Sequence, residues 1–236
     1  MGFGKGLKSF SIHDNHPMKN LLFTSILLIL GVISVKAQDT IKVDIYKTTD
    51  DYILKQYTDT NVSLIVKAIG DNHIQIKKFI DTNTGKTLNN INASWAIVHK
   101  GNTYLNLGYT NDLTNWKIFL KFNVEGNNFC ASFIDDETPN IVKNSGSYYG
   151  GGLTGVLIKE STKWGKNWTK QDGSKAKILF INLNKQNQPF GSRHKSSMGY
   201  FITRKELRDK LQLEKKDEEI EKMSFEEAIT SVRAKN

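Results

Sequence analysis

From Asn61 to Asn182 the chain is dominated by short runs in which apolar and polar residues alternate, parted by turn residues. VSLIVKAI is followed by Gly70-Asp71-Asn72 and then by HIQIKKFI, after which Thr82 to Lys86 marks another turn. ASWAIVH and TYLNLGY flank Lys100-Gly101-Asn102, and KIFLKFNV and FCASFI flank Glu125-Gly126-Asn127-Asn128. GVLIKE and KILFINL follow, separated by a longer loop. Alternation with period two sends successive side chains to opposite faces, so each run describes a half-buried strand. Gly, Asn and Asp between the runs supply the backbone angles that tight reversals need. DTIKVDIY, from Asp39 to Tyr46, adds one more strand ahead of them. About eight or nine short strands at this spacing predict a mainly β fold, an antiparallel sheet closed on itself as a sandwich or a barrel-like sheet.

Helical signals lie at both ends of this β region. Thr48 to Asp51 offer cap residues ahead of YILKQY, which predicts a short N-terminal helix. After Phe201 the composition changes, and the run to Met223 is charged with almost no β-branched residues. Thr203 and Glu206 have capping-box spacing, Leu207 and Leu211 share a helical face, and Ile220 and Met223 continue it weakly. Ser224 and Glu227 restart a second short helix in the same way. The expectation is a β domain over 38–202 and a charged helical tail over 203–236, with one helix docked and the next frayed.

The stretch before the first strand, Met18 to Gln38, has a basic head at Lys19 and 15 uncharged, mostly apolar residues from Leu21 to Val35. As a helix that run measures roughly 22 Å, short of the ~30 Å hydrocarbon core of a bilayer. Charged head, short apolar middle and the small-residue exit Val35-Lys36-Ala37 follow the grammar of a secretory signal peptide, with cleavage between Ala37 and Gln38. Residues 1–37 are therefore read as the signal peptide, and 1–17 as the product of a misassigned start ahead of Met18. The alternative is a single-pass signal anchor at about 20–36. Either way the body of the protein is expected in the periplasm or outside the cell, with no stable membrane span after processing.

Charge and cysteine content narrow the classes further. Without Lys5, Lys8, Lys19, Lys36 and Asp14 the net charge falls from +9 to +6. The tail is charge-balanced, so the excess lies in residues 38–202. An excess of that size favours solubility; a polyanion site would need the charges to cluster. Cys130 is the single cysteine. It forms no internal disulfide, and its strand-like setting, Phe129 to Phe133, predicts a small buried apolar residue.

Ala93-Ser94-Trp95-Ala96, Lys100-Gly101-Asn102 and Tyr104-Leu105-Asn106 resemble a group of small exported bacterial proteins of unknown function. Lys121 to Gly126, the closing Phe129-Cys130 and the Gly150–Gly155 run fit the same pattern. The likeness spans roughly Tyr46 to Asn182. It implies a β-rich exported domain and carries over no catalytic residue.

Motifs for chemistry are sparse. Gly150 to Gly155 satisfies GxGxxG, but a dinucleotide fingerprint needs a strand before it and a helix after it. Here a loop precedes and the strand-like GVLIKE follows. Asp135-Asp136-Glu137 lacks the spaced oxygens and sharp-turn glycine of a calcium loop and reads as a solvated turn. His73, His99 and His194 have no metal-ligand spacing, and no G-x-S-x-G elbow is present. No catalytic residue, metal or cofactor is expected.

The stretch with binding character runs from Lys159 to Lys177. Trp164 and Trp168 stand among Lys163 and Lys166, with Tyr148 and Tyr149 in the loop before. Exposed rings of this kind stack on sugars, and nearby lysines meet acidic groups. The expectation is a non-catalytic binding or envelope-associated domain whose partner is a glycan or cell-envelope component rather than nucleic acid. Two alternatives stand beside it: a secreted hydrolase acting on cell-wall or environmental polymers, and a scaffold that recruits a partner through its tail.

Overall fold

The structure, a computed structural model, describes residues 39–88, 94–111, 115–134, 168–188, 192 and 194–235. Within them Asp39–Asn236 cluster as one compact unit. The strands are β1 (Thr40–Tyr46), β2 (Asp59–Ile69), β3 (His73–Asp81), β4 (Thr87–Leu88), β5 (Ala96–His99), β6 (Asn102–Asn106) and β7 (Ile118–Lys121). They continue with β8 (Val124–Glu125), β9 (Phe129–Ile134), β10 (Trp168–Thr169), β11 (Lys175–Asn187) and β12 (Ser196–Phe201). The helices are α1 (Thr49–Ile53), α2 (Arg204–Leu211), α3 (Asp217–Glu221) and α4 (Phe225–Ala234).

The first sheet closes. Its order is β2-β1-β5-β6-β7-β3, and β2 also pairs with β3, so six antiparallel strands form a barrel with β4 added outside β3. Closure leaves β2 and β3 hydrogen-bonded on both sides. Alternation along each strand fills the interior with Val43, Ile45, Val62, Leu64, Val66, Ile74, Ile76, Phe79, Ile97, Tyr104 and Phe119. The β5–β6 reversal is made by Lys100 at φ 50° and Gly101 at φ 74°, two left-handed residues as a type I′ hairpin requires.

The second sheet runs β10-β11-β9-β8, with β12 on the same edge of β11 as β10. Both of its faces are covered. Cys130, Ile134, Leu179, Ile181, Leu183 and Phe201 meet the outer face of the barrel at Ala96, Leu105, Ile118 and Leu120. Phe129, Ala131, Phe133, Ala176, Ile178 and Phe180 meet the helices. Barrel, sheet and helices therefore form three layers, and Trp95 joins the first two by donating from Nε1 to the Ser197 carbonyl at 2.8 Å.

Two expectations change here. The KIFLKFNV and FCASFI runs form a hairpin only next to their turn, where Val124 and Glu125 pair with Ala131 and Cys130, while Ile118–Lys121 belongs to the barrel. The chain leaves the barrel after β7, and Phe122 and Asn123 carry it across to the second sheet, where β8 pairs with β9. Asn123 fixes that crossing: its N–H donates to the Ala131 carbonyl and its Oδ1 accepts from Phe133 N–H at 2.6 Å. The tail is also no frayed appendage. Leu207, Leu211, Ile220, Met223, Phe225, Ala228 and Val232 are all buried in one cluster with the second sheet. Thr203 and Ser224 close capping boxes with Glu206 and Glu227, which starts α2 and α4 where the sequence placed them.

Among the described residues no helix is long and apolar enough to cross a membrane. The leader 1–37 with its Ala37/Gln38 junction, Asp135 to Glu137, and the Gly150–Gly155 run with GVLIKE lie outside the described residues.

Candidate functional site

The short helix α1 leaves β1 at the border between barrel and second sheet, and its local sequence explains how firmly it is held. Thr48 accepts from Asp51 N–H while the Asp51 carboxylate accepts from Thr48 N–H, a reciprocal cap. Thr49 is fully buried and its Oγ1 accepts from Ser197 N–H at 2.7 Å; Asp50 Oδ1 accepts from Gln186 Nε2 at 2.6 Å. Tyr52, 2% exposed, packs against Tyr46, Trp95 and Phe122. With one face fixed by Thr49 and Tyr52, a five-residue helix has no second face to bury. Ile53 (44% exposed), Leu54 (63%) and Tyr57 (46%) stand out as a ledge. Lys55, left-handed at φ 54°, ends the helix and lays its Nζ 3.8 Å from the centre of the Tyr52 ring.

A carboxylate meets α1 at the hydroxyl of its buried tyrosine. Glu125 Oε2 accepts from Tyr52 Oη at 3.2 Å and from Thr103 Oγ1 at 3.1 Å, while Glu125 itself is exposed. Behind it Cys130 Sγ donates to Tyr52 Oη at 3.4 Å. Tyr57 extends the aromatic surface outward, its ring 5.0 Å from that of Tyr46. Burial is the main cause that pushes the Tyr46 and Tyr52 hydroxyls above the ordinary phenol range, so both stay protonated donors. Burial likewise pushes the Cys130 thiol up to about 11, which leaves it neutral and unreactive at neutral pH. The arrangement offers ring faces, an apolar shelf, an amine and an anchored acceptor. Groups of these kinds are chemically suited to polyhydroxyl or amphipathic surfaces, and they do not assemble a nucleophile with a base.

The residues predicted for binding fare differently. Trp168 is fully buried: it opens β10, donates from Nε1 to the Ile202 carbonyl at 3.2 Å, and carries the Arg204 guanidinium 4.7 Å over its ring. A ring enclosed in this way cannot stack on a ligand, so Trp168 leaves the proposed platform. Lys163, Trp164, Lys166, Tyr148 and Tyr149 lie outside the described residues. Sequence reasoning missed Leu54, Tyr57 and Glu125. The signal available was that YILKQY carries more apolar residues than a helix of one or two turns can cover.

Elsewhere an open groove of about 300 Å3 lies beside α2 and α3, lined by Thr203, Arg204, Lys205, Asp217, Ile220 and Glu221. Its charges are mixed, and Arg204 is already engaged with Trp168 and, through Nε, with the Met223 carbonyl. Among the described residues no group of three or more His, Cys, Asp and Glu side chains is placed to hold a metal ion.

Fold and site together define the class: a mainly β domain in which a closed barrel, an antiparallel sheet and short helices are layered, with an aromatic ledge at the border of the first two. Comparison of the chain with protein-family models, with curated proteins and with solved structures finds no match.

Proposed function

We propose that this protein is a non-catalytic binding domain, delivered outside the cytoplasm by residues 1–37 and acting at the cell envelope, and that its ligand is a glycan or related envelope component held on the α1 ledge. One observation carries this reading. Of the four exposed large hydrophobics among the described residues, Ile53, Leu54 and Tyr57 fall within five positions, on the segment whose Tyr52 hydroxyl donates to the Glu125 carboxylate. Grouped apolar exposure of this kind marks interaction sites, whereas single exposed residues are ordinary. The ring of Tyr57 suits the C–H face of a sugar, and Glu125 suits its hydroxyls.

The test is a binding screen of the protein against purified glycans and envelope extract, repeated with Leu54→Ala/Tyr57→Ala. Both side chains are exposed, so the melting temperature should stay within about 2 °C while affinity falls roughly tenfold or more. Unchanged affinity in the double variant would remove the ledge as the contact surface. N-terminal sequencing of the protein recovered from the envelope or medium should begin at Gln38; a chain retained in the cytoplasm with its first residues intact would refute export.

A further inference from the structure

The chain carries three Asn-x-Ser/Thr triplets: Asn61-Val62-Ser63, Asn92-Ala93-Ser94 and Asn167-Trp168-Thr169. In an exported protein such a triplet is an acceptor sequence for an N-linked glycan. Asn92 and Asn167 lie outside the described residues, whereas Asn61 is exposed near the start of β2. β1 and β2 change register at this point: Val43 opposes Val62 and Ile45 opposes Asp59, so Asp44 alone faces Thr60 and Asn61. A bulge of this kind re-aims a side chain. The backbone around it is held, because Asn61 N–H donates to Asp59 Oδ1 at 2.9 Å and the Asn61 carbonyl accepts from Thr82 N–H at 2.9 Å. Thr60 and the turn from Thr82 to Lys86 are exposed, so the rim around the acceptor is open.

The fold gives this asparagine no other use. Asn is poorly suited to strands and is favoured where its amide bonds nearby backbone or where a left-handed residue is needed. Asn106, Asn115, Asn123 and Asn182 meet the first condition, each accepting a backbone N–H through Oδ1. The side-chain amide of Asn61 makes no hydrogen bond among the described residues. Nor is its backbone left-handed, a conformation taken among the described non-glycine residues by Lys55, Lys100 and Gln212.

We propose that Asn61 is an N-glycosylation site. The co-substrate is an oligosaccharide carried on a polyprenyl diphosphate, presented by a membrane transferase to the chain as it emerges from the cytoplasm. Asn61 Nδ2 attacks C1 of the first sugar; the N–C1 bond forms, the C1–O bond to the diphosphate breaks with its electron pair, and Nδ2 gives one proton to a base on the transferase. Val62 is fully buried and Ser63 is 8% exposed, so the hydroxyl that the transferase reads is covered once the barrel closes. Transfer therefore belongs to the translocating chain, before β2 pairs with β1 and β3, and the bulge keeps the finished glycan outside the sheet. This inference rests on export by residues 1–37 and not on the α1 ledge.

The test is mass spectrometry of the protein recovered from the envelope or medium of its native host, intact and after proteolysis, with N-terminal sequencing of the same sample. Wild type is compared with Asn61→Gln, Ser63→Ala and Ser63→Thr; circular dichroism and melting establish that the variants are folded. The peptide containing Asn61 should carry a glycan, N61Q and S63A should lose it completely, and S63T should keep it. Loss in S63A, where the acceptor amide is intact, separates reading of the triplet from any other chemistry at Asn61. A chain that begins at Gln38 with Asn61 unmodified would overturn the proposal and leave export standing; a chain that keeps its leader and carries no glycan would overturn both. A glycan confined to Asn92 or Asn167, or one that survives S63A, would also overturn it.

Discussion

Replacing Trp168 by Ala separates a structural ring from a binding ring, because the two roles predict different losses. The side chain is fully buried where β10, the end of β12 and the tail helices meet. Its removal deletes the packing of an indole and leaves the Ile202 carbonyl without the donor it has at 3.2 Å. Large aromatic truncations in cores cost about 3–5 kcal/mol. The Arg204 guanidinium stacked on the ring loses its support as well, which places W168A near the middle of that range or above it. In a domain of this size about 1 kcal/mol moves the melting temperature by 2–4 °C, so W168A should lower it by roughly 8–16 °C. W168F keeps most of the ring and loses the hydrogen bond, about 1 kcal/mol, and should fall by about 2–4 °C. Calorimetry or thermal fluorescence reads both. A drop of less than about 3 °C for W168A would show that the ring is not core and would return it to the ligand surface.

Three further outcomes follow from burial. Truncation after Ile202 strips Leu207, Leu211, Ile220, Met223, Phe225, Ala228 and Val232 from the second sheet, so the shortened chain should aggregate or unfold; a soluble, β-rich monomer by chromatography and circular dichroism would refute the docked tail. Cys130, with its thiol pushed up to about 11, should resist alkylation at about pH 8 until denaturant is added, and rapid labelling of the native protein would contradict its burial. His73 is held neutral by burial, its pKa lowered from the ordinary value, so below about pH 6.5 the unfolded chain binds a proton that the native ring resists. Its contribution to stability is complete above that pH and is lost as pH falls through the native pKa. Between about pH 7.5 and 5 the urea midpoint of the wild type should drop more than that of His73→Gln, and parallel curves would refute the assignment.

Local chemistry was readable in the residues and long-range closure was not. Thr48 and Asp51 announced α1, Lys100-Gly101 announced the β5–β6 hairpin, and the alternation of Val62, Leu64 and Val66 announced a strand with one buried face. Nothing in the sequence pairs β1 with β5 or β3 with β7, because those contacts depend on how the sheet curls. The crossing at Phe122-Asn123 was hidden for a related reason: β7 and β8 read as one continuous run although they serve different sheets. The tail was under-read because its apolar residues are divided among three short helices, each with a thin stripe, and only packing unites them. Trp168 looked exposed among lysines, yet the two-residue strand it opens turns it inward. At the ledge, Tyr57 and Glu125 are joined only by the fold, which brings Tyr52 and Thr103 to the same carboxylate oxygen.

The most direct test of the ledge is a nuclear magnetic resonance titration of the protein with the strongest glycan recovered from the binding screen. Amide shifts should cluster at residues 53–57 and around Glu125, and Y57A should abolish them while leaving the rest of the spectrum in place. Shifts centred on the helical layer or the barrel wall, with residues 53–57 unmoved, would contradict the assignment of the ledge as the ligand surface.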